Sequence, residues 1–427
     1  MNNKTLVVGL IIVSLFITAL SARNGDIAWM TLPFLAYLLA GILQAPSLEK
    51  LSFSAERKLE QTRSNGIASV DVCLSVQNKA AEAVHLFVYE AIRAGMKIAD
   101  GELSRRVTLQ PGEMTELAYS FTATRGNFSW RSIPILVSDP LGVIETKLLL
   151  PAKAATQIQP TFKKFKAIPL RTYSSTLHVP GSIPANLGGS GTDFFGVREY
   201  HAGDPLRSLD WRLTARHPRR FFTKEFEQEE IADIGLILDA RLGTDLKIGE
   251  ENLFEHGISA TASLAEMFLH QGHRVSLLVY GKTILNVFPG YSKMQLHRIM
   301  SCLSTAKVDS EKRAAVPLDL IPTRMFPSKA LIILISSLTS EDRSLFLRLR
   351  ARGYQVLLVS LDPIDFAYPT LGQDATSQLA IRVARLERRL QLKNISQLQV
   401  RVIDWQVRQP LFPLVRNALT RSRGQQR

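Results

Sequence analysis

Cysteine is nearly absent from this sequence, since only Cys73 and Cys302 occur among 427 residues. The two cysteines lie far apart and fall in different predicted domains. The sequence therefore predicts neither a disulfide framework nor a cysteine-based zinc site. Histidine offers no metal site at the one place where two lie close together, because His270 and His273 flank Gly272 and do not share a helical face. We expect both histidines at the surface.

Two common catalytic motifs are also incomplete. The run Gly281–Thr283 ends like a phosphate-binding loop, but Ser276 stands where that loop requires its first glycine. The run Gly188–Gly191 resembles part of a nucleophile elbow, but Thr192 stands where the closing glycine is required. The sequence thus predicts neither a P-loop nucleotide-binding protein nor a hydrolase of the nucleophile-elbow type.

Acidic residues are too few to balance the basic ones. There are 38 Asp and Glu against 52 Lys and Arg, which gives a formal net charge of +14. A net positive charge of this size favours anionic neighbours, such as lipid headgroups, nucleic acid or an acidic protein surface. Nucleic acid is the weakest of the three, because no aromatic interleaving or nucleic-acid-binding motif accompanies the charge. With 46% hydrophobic and 21% charged residues, the composition is typical of a globular protein with some membrane content.

Two long apolar runs open the chain, at residues 6–22 and 27–45, and the polar residues 23–26 separate them. Each run approaches the length that spans a bilayer and contains no charge. We predict a transmembrane helical hairpin over residues 1–48. A signal peptide is the alternative, because Lys4, the apolar core of the first run and the small residues Ala19 and Ser21 resemble its three regions.

Positive charges predict the orientation of this hairpin. Lys4 precedes the first run, and four basic residues follow the second: Lys50, Arg57, Lys58 and Arg63. Cytoplasmic flanks carry the excess of Lys and Arg. We therefore expect a multi-pass protein of the cytoplasmic (inner) membrane whose large domain is cytoplasmic.

Residues 49–160 show the alternation of half-buried strands. Apolar residues recur at every second position from Val70 to Val76 and again from Val84 to Val88. Turn sequences follow at short intervals, as at Pro111–Gly112 and Pro140–Gly142. Several short strands without a long helical pattern predict an antiparallel β-sandwich of the immunoglobulin-like kind.

Residues 161–230 combine an arm with a dense charged segment. The arm, residues 161–187, is basic and then rich in Ser, Pro and Gly, so we expect an extended, solvated linker. The charged segment, called the signature below, contains ten candidate site residues: Arg198, Glu199, Tyr200, Gly203, Asp204, Arg207, Asp210, Trp211, Arg212 and Arg216. Arginines pair with carboxylates in planar, bidentate geometry. The signature therefore predicts an interdomain clasp, or alternatively a docking or phosphate-binding surface.

The signature resembles that of the bacterial and archaeal domain-of-unknown-function family fifty-eight. The positions that agree in identity and spacing run from Arg198-Glu199-Tyr200 through Asp210-Trp211-Arg212 to Arg216. The resemblance implies a membrane-anchored protein with a von Willebrand factor A-like region after the signature. It also implies an association with AAA+ ATPases of the MoxR type. The family name defines no biochemical activity.

Residues 231–427 alternate apolar strands with helices, which predicts a doubly wound, mainly parallel sheet with helices on both faces. This order resembles the von Willebrand factor A-like fold, whose first strand ends in Asp-x-Ser-x-Ser and holds a divalent cation. Here Asp239 is followed by Ala240, Arg241, Leu242 and Gly243, and Ser337 stands where a second Asp is expected. We therefore predict a degenerate metal site and expect Asp239 to pair with an arginine or with backbone N–H groups.

A basic helix is predicted near residues 376–392. The apolar stripe of Leu379, Val383, Leu386 and Leu390 is expected to face the core. The opposite face is then a cationic surface of Arg382, Arg385, Arg388, Arg389 and Lys393. Anionic lipid or an acidic protein is the expected neighbour of this surface if it binds one.

These observations predict a membrane-anchored scaffold or adaptor without enzymatic activity or cofactor, which binds protein partners. The family resemblance implies that it works with a MoxR-type ATPase in protein assembly or envelope-related processes. The alternative is a metal-dependent hydrolase that uses Asp239 or the acidic strand Glu225–Glu229. The two hypotheses differ in whether oxygen ligands for a divalent cation come together.

Overall fold

The computed structural model describes residues 3–44, 51–64, 67–168, 184–217, 219–229, 231–241, 245–249, 251–281, 284–308, 325–327, 329–338, 342–372 and 374–420. The chain forms two compact units, Met1–Ile158 and Gln159–Arg427. Each unit is described by itself. The predicted mixture of apolar helices, antiparallel sheets and an α/β sheet is confirmed.

The first unit opens with the helices α1 (Asn3–Ala22), α2 (Gly25–Trp29) and α3 (Leu32–Leu43). Two segments, Thr5–Ala22 and Gly25–Leu43, are long and apolar enough to cross a membrane. The second segment is not one continuous helix, because it breaks between α2 and α3. At the break the Thr31 hydroxyl donates to the carbonyl of Ala28 at 2.7 Å, and Pro33 supplies no N–H to continue the ladder.

Both long helices of this pair bind the same turn of the following β module. The Thr5 hydroxyl on α1 donates to the carbonyl of Val143 at 2.5 Å. The Tyr37 hydroxyl on α3 donates to the carbonyl of Leu141 at 2.9 Å. Gly41 allows the close approach, since a Cβ atom there would lie 2.5 Å from the Cβ of Val143.

Eight strands form two antiparallel sheets in this unit. They are β1 (Phe53–Ser64), β2 (Ile67–Asn78), β3 (Val84–Tyr89), β4 (Lys97–Gly101), β5 (Ser104–Leu109), β6 (Met114–Ala123), β7 (Gly126–Ser138) and β8 (Glu145–Ile158). The first sheet has the order β1-β2-β6-β4 and the second β5-β3-β7-β8. The long strand β1 and the short strand β4 were not predicted from the sequence.

The predicted alternation puts one face of each strand into a shared core. Leu74 of β2, Leu86 of β3 and Ile135 of β7 belong to one buried cluster, which joins residues of both sheets. Burying each such side chain stabilises the fold by about 1.5–3 kcal/mol. The period-two pattern therefore identified the core-facing residues correctly.

The second unit contains a hairpin followed by an α/β sheet. Its elements are β9 (Pro184–Glu199), α4 (Trp211–Arg216), β10 (Phe222–Glu229), β11 (Asp233–Asp239), β12 (Lys247–Ile248), β13 (Glu251–Asn252), α5 (Leu253–His270), β14 (Arg274–Tyr280), β15 (Leu285–Gly290), α6 (Ser292–Thr305), β16 (Leu331–Ser336), α7 (Arg343–Ala351), β17 (Gln355–Leu361), α8 (Pro363–Ala367), α9 (Ala375–Ser396), β18 (Arg401–Trp405) and α10 (Leu411–Thr420).

The main sheet has the strand order β15-β14-β11-β16-β17-β18. Strands β14, β11, β16, β17 and β18 are parallel, and β15 is antiparallel at one edge. Buried clusters cover both faces, one with residues of α5, α6 and α10 and the other with residues of α7 and α9. The chain order reverses between β11 and β16. The carboxyl ends of the strands at such a reversal are the usual ligand-binding position in open α/β sheets.

Part of the arm predicted as a solvated linker packs onto this unit. Ile168 is fully buried in the core cluster of α5, and Phe162 and Phe165 pack against that cluster. The N–H of Lys163 donates to the hydroxyl of Ser263 at 2.9 Å. The solvated-linker prediction is therefore wrong for residues 161–168, because three apolar side chains in a basic segment outweigh its charge. Residues 169–183 lie outside the described residues.

His273 was expected at the surface and is buried instead, with 2% of its area exposed. Its Nδ1 accepts the N–H of Ala232 at 3.2 Å. Burial lowers the pKa of His273 from 6.5 to about 4. The imidazole is thus held neutral where the chain turns from α5 into β14.

Candidate functional site

The signature forms a hairpin of β9 and β10 that carries a compact excursion over residues 200–221. The strands pair Glu199 with Phe222 and Arg198 with Thr223. Beyond the last pair, the N–H of Tyr200 donates to the carbonyl of Phe221 at 2.8 Å. The excursion holds a 3₁₀ turn at Leu206–Ser208 and then α4. The Gly-rich sequence before the signature is therefore strand backbone, although the side chains of residues 184–193 lie outside the described residues.

Arg198 holds the base of the excursion together. Its Nη1 and Nη2 donate to the two carboxylate oxygens of Asp204, each at 2.8 Å. Its Nε donates to Glu225 of β10 at 2.7 Å. The hydrogen bonds from Arg198 lower the pKa of Asp204 to about 2. Gly203 precedes this carboxylate with a φ of +111°, a conformation that side chains rarely adopt.

Asp210 begins α4 rather than facing a partner. Its Oδ1 accepts the N–H groups of Arg212 at 3.1 Å and Leu213 at 3.0 Å. These are two of the N–H groups that a helix start leaves without an intrahelical partner. The hydroxyl of Thr214 accepts the N–H of Phe222 at 3.1 Å and ties α4 to β10. Asp210 therefore has a structural role in the signature.

Two further signature residues make contacts at the surface. Glu199 accepts a hydrogen bond from Arg220 at 2.8 Å, with both side chains more than half exposed. Such exposed pairs contribute about 0–1 kcal/mol to stability. The ring of Tyr200 meets the edge of Phe221 at a centroid distance of 6.4 Å.

The remaining signature residues are exposed. Trp211 has 65% of its area in solvent, and Leu206 is exposed as well. On α4, residues 211, 212, 215 and 216 are exposed while Leu213 and Thr214 are half-buried, as helical periodicity requires for one free face. We call these side chains the exposed signature face, which consists of Leu206, Arg207, Trp211, Arg212 and Arg216.

A second cluster lies at the carboxyl ends of the parallel strands, where the chain order reverses. Arg241 follows β11 and donates from Nε to Asp239 Oδ1 at 2.8 Å and from Nη2 to Asp239 Oδ2 at 2.6 Å. The same guanidinium donates from Nη1 and Nη2 to the two oxygens of Asp342 at 2.6 and 2.9 Å. One arginine thus pairs with two buried carboxylates.

The surroundings of Arg241 keep it charged. Burial acts to lower the pKa of Arg241, but the hydrogen bonds that it donates to Asp239 and Asp342 raise that pKa above its usual value. The Ser336 hydroxyl at the end of β16 donates to Asp239 at 2.6 Å. The expected pairing of Asp239 with an arginine is therefore what the structure contains, with the guanidinium positioned between oxygen atoms that could otherwise ligate a cation.

Sequence reasoning named Ser337 at this position and missed both Ser336 and Asp342. Ser337 is buried next to the cluster, but it is Ser336 that binds Asp239. Asp342 lies after β16, which neighbours β11 in the sheet. An Asp shortly after the strand adjacent to Asp239 was the available signal, since the carboxyl ends of parallel strands meet at one sheet edge.

In the acidic strand Glu225–Glu229, Glu225 is the one glutamate whose side chain is described, and it has a structural role. Glu225 binds Arg198, and the side chains of Glu227 and Glu229 lie outside the described residues. Across the described ranges, no three His, Cys, Asp or Glu residues are grouped as a metal site requires.

The predicted orientation of α9 is wrong, and Arg388 is the clearest correction. Arg388 is buried, and its Nη2 donates to Asp404 of β18 at 2.6 Å and to the Ser360 hydroxyl of β17 at 3.0 Å. The stripe expected in the core is exposed: Leu379 61%, Val383 47%, Leu386 56% and Leu390 60%. The four other predicted basic residues, Arg382, Arg385, Arg389 and Lys393, are exposed as expected. Arg385 lies 5.3 Å from the ring of Tyr368.

Comparison with known proteins finds a family model that matches part of this hairpin and sheet. Residues 196–395, from β9 to α9, match the family model DUF58, described as a protein of unknown function. The resemblance drawn from the signature is thereby confirmed, and the chain carries a DUF58 region.

A curated relative supports the same family. The uncharacterized protein YeaD of Bacillus subtilis is 26% identical over 277 residues, which are 62% of this chain and 65% of that protein. The match thus spans less than two thirds of the relative's length.

Similarities to solved structures are weak. The ApaA protein of Bordetella pertussis aligns at 12% identity with a TM-score of 0.16, over 25% of this chain and 93% of that one. A FixG-related protein of Vibrio parahaemolyticus aligns at 17% identity with a TM-score of 0.15, over 23% of this chain and 97% of that one. At these scores neither alignment supports an argument about fold or function.

Proposed function

We propose that this chain is a membrane-anchored scaffold without enzymatic activity, which binds protein partners through the exposed signature face. One observation carries the proposal. The excursion is held together by hydrogen bonds of Arg198, Asp204 and Asp210. By contrast, the side chains of Arg207, Trp211 and Arg212 are exposed to solvent. Trp and Arg are the residue types that most often dominate binding energy in protein interfaces.

The chemistry of the face indicates an acidic partner surface. Three exposed arginines lie within five residues of exposed Trp211, and Leu206 is exposed next to Arg207 in sequence, so the face combines cationic fork donors with apolar area. A complementary surface would carry carboxylates around an apolar pocket. A MoxR-type AAA+ ATPase is the partner that the family resemblance implies, and we propose it as the first to test.

The anchor is the apolar helix pair at the start of the chain. Its two candidate spans contain 18 and 19 residues. The basic residues that follow them in sequence favour a cytoplasmic position for the remainder of the chain. We propose insertion into the cytoplasmic membrane in this orientation.

We further propose that the first unit is an immunoglobulin-like sandwich and the second a von Willebrand factor A-like domain with a degenerate metal site. Two antiparallel four-stranded sheets around one core support the first assignment. A mainly parallel six-stranded sheet with helices on both faces supports the second. In this reading the Arg241 guanidinium replaces the divalent cation, which argues against the alternative of a metal-dependent hydrolase using Asp239.

The proposal is tested by recovery of partners after crosslinking in native membranes. We expect Arg207→Ala and Trp211→Ala to remain folded and to lose the partner that the unchanged protein recovers. Arg408→Ala is the matched control, since Arg408 is exposed and lies far from the signature in sequence. Thermal unfolding of each variant in detergent establishes that it is folded. Retention of every partner by folded Arg207→Ala and Trp211→Ala would refute the proposal.

A MoxR-type ATPase is tested separately by adding the purified ATPase to the full-length protein in nanodiscs. Binding that is weakened by Trp211→Ala but not by Arg408→Ala supports this partner. A partner set without any AAA+ ATPase removes the MoxR part of the proposal and leaves the docking face.

A further inference from the structure

Helix α9 has two apolar faces, of which one is buried and the other is exposed among the residues that the structure describes. Ile381, Leu392 and Ile395 are buried, and Arg388 lies among them in its pairing with Asp404. On the opposite side the four exposed residues Leu379, Val383, Leu386 and Leu390 form a continuous stripe, called the α9 seam below. An exposed apolar stripe of this kind is a common mark of a protein interaction surface.

The spacing of the α9 seam is that of a coiled coil. The intervals between its residues are four, three and four positions, which is a repeat of 3.5 residues. Leu379 and Leu386 take the d positions, and Val383 and Leu390 take the a positions. Among parallel coiled coils, a β-branched residue at a with leucine at d favours two strands. Val383 fits this preference at one a position, and Leu390 takes the other.

The charges beside the α9 seam fit a second copy of the same helix in parallel. In this register Arg382 takes a g position and Glu387 the e position five residues later. In a parallel pair, each g residue lies next to the following e residue of the partner helix. Arg382 of each copy would therefore meet Glu387 of the other, which forms two ion pairs. An antiparallel pair would instead bring the Arg382 and Arg389 side chains of the two copies together.

We propose that α9 pairs in parallel with α9 of a second copy of this chain, through the α9 seam, to form a two-fold symmetric dimer. The helix is already held in the unit by the buried residues Ile381, Leu392 and Ile395. Pairing with a second copy therefore does not have to offset the free-energy cost of forming the helix. Four apolar residues per copy are a short seam, and they suffice for association because the helix is preorganised.

Cysteine crosslinking of the full-length chain in its membrane tests this geometry. Both native cysteines are replaced by alanine, and one cysteine is introduced at Leu386. A disulfide requires Cα atoms within about 7 Å, which identical d positions of a parallel pair satisfy. We expect Leu386→Cys and Leu379→Cys to form disulfide-linked dimers under mild oxidation. Gln378→Cys is the matched control, because Gln378 is exposed on the same helix but lies away from the seam.

The dimer yield at Leu386→Cys should exceed that at Gln378→Cys about tenfold, because the Gln378 positions of a parallel pair point apart. Equal yields at the two positions, or no dimer at either, overturn the proposal. A fluorescent probe on Leu386→Cys that is quenched by brominated lipid also overturns it, since the seam then faces a membrane surface.

Charge reversal separates self-pairing from unspecific contact. We expect Arg382→Glu or Glu387→Arg alone to lower the Leu386→Cys dimer yield about fivefold, because two ion pairs become repulsive. The double variant restores the pairs with their signs exchanged and should recover the yield. If both single variants reduce the yield and the double variant does not recover it, the parallel register is wrong.

Discussion

The guanidinium of Arg241 meets the carboxylate of Asp239 side-on, with Nε to Oδ1 at 2.8 Å and Nη2 to Oδ2 at 2.6 Å. The two residues are only two positions apart, so the short turn after β11 is enough to place the guanidinium against the carboxylate that ends this strand. The same guanidinium binds Asp342, so both carboxylates are paired through Arg241.

Removal of Arg241 should destabilise the second unit strongly. In Arg241→Ala two buried carboxylates lose their counter-charge, and breaking a buried pair in this way costs about 3–5 kcal/mol. Chemical denaturation of the full-length protein in detergent measures the free energy of unfolding. Exposed Arg408→Ala is the control and should change it by less than about 0.5 kcal/mol. A cost of Arg241→Ala similar to that of the control would contradict a structural role for the cluster.

The Arg241→Ala variant should also respond to divalent cations. Asp239, Asp342 and Ser336 then offer oxygen ligands to Mg²⁺, Mn²⁺ or Ca²⁺ without a competing guanidinium. A ligand that binds only the folded state raises its melting temperature. We expect each cation to raise the melting temperature of the variant more than that of the unchanged protein.

Calorimetric titration of the same two proteins gives the direct comparison. Tight cation binding by the unchanged protein that is abolished by Asp239→Ala would contradict the degenerate-site interpretation. It would favour the metal-dependent hydrolase instead.

Neighbouring arginines of α9 should differ sharply in their effect on stability. Arg388→Ala removes a buried guanidinium that donates to Asp404 and to the buried Ser360 hydroxyl. Because Asp404 is nearly half exposed, the change should cost about 1–3 kcal/mol. Arg389→Ala removes an exposed side chain and should change the free energy of unfolding by less than about 0.5 kcal/mol. Paired denaturation curves measure both. Equal effects would mean that α9 is oriented as the sequence alone predicted.

Acid should weaken the second unit through His273. The pKa of this residue is 6.5 in the unfolded chain and about 4 in the fold. Between these values the unfolded chain binds the proton and the folded chain does not. The contribution of neutral His273 is therefore complete above pH 6.5, declines as the pH falls to 4, and changes little below it. The full difference is about 3 kcal/mol.

The variant His273→Asn isolates this effect, because the asparagine oxygen can still accept the N–H of Ala232. Its free energy of unfolding should fall less steeply between pH 6.5 and 4 than that of the unchanged protein. His256, whose pKa burial also lowers, is present in both proteins and cancels in the comparison. Identical slopes for the two proteins would show that His273 takes up its proton as readily in the fold as in the unfolded chain.

Local patterns were sufficient for most elements of the fold. The continuous apolar run of β11 and the helical spacing of α5 lie where the sequence predicted them, because each element is buried along its whole length or on one full face. Strand β9 was not predicted, since its Gly- and Ser-rich residues have low strand propensity. It forms through pairing with β10, more than twenty residues away.

The sequence predicted which residues belong to the candidate site, but not which of them stabilise the fold and which face solvent. Arg198 and Arg207 are the same residue type nine positions apart, yet Arg198 closes the excursion and Arg207 faces solvent. That difference depends on Asp204 and Glu225 meeting Arg198 in three dimensions. For α9, the four seam residues form the stronger apolar pattern, so the sequence predicted that they face the core. Arg388 lies on the face that is in fact buried, and an arginine is buried only when its partners are present. Those partners lie on β17 and β18.

The turn at Leu141–Val143 gives the first unit a mechanical property. Thr5 of α1 binds one end of this turn and Tyr37 of α3 binds the other, so the turn connects the two helices through hydrogen bonds. A pull on β7 or β8, the strands on either side of this turn, therefore reaches the helices through two side-chain bonds as well as through the covalent chain. Force from a partner that grips these strands would be shared between both helices instead of loading α3 alone.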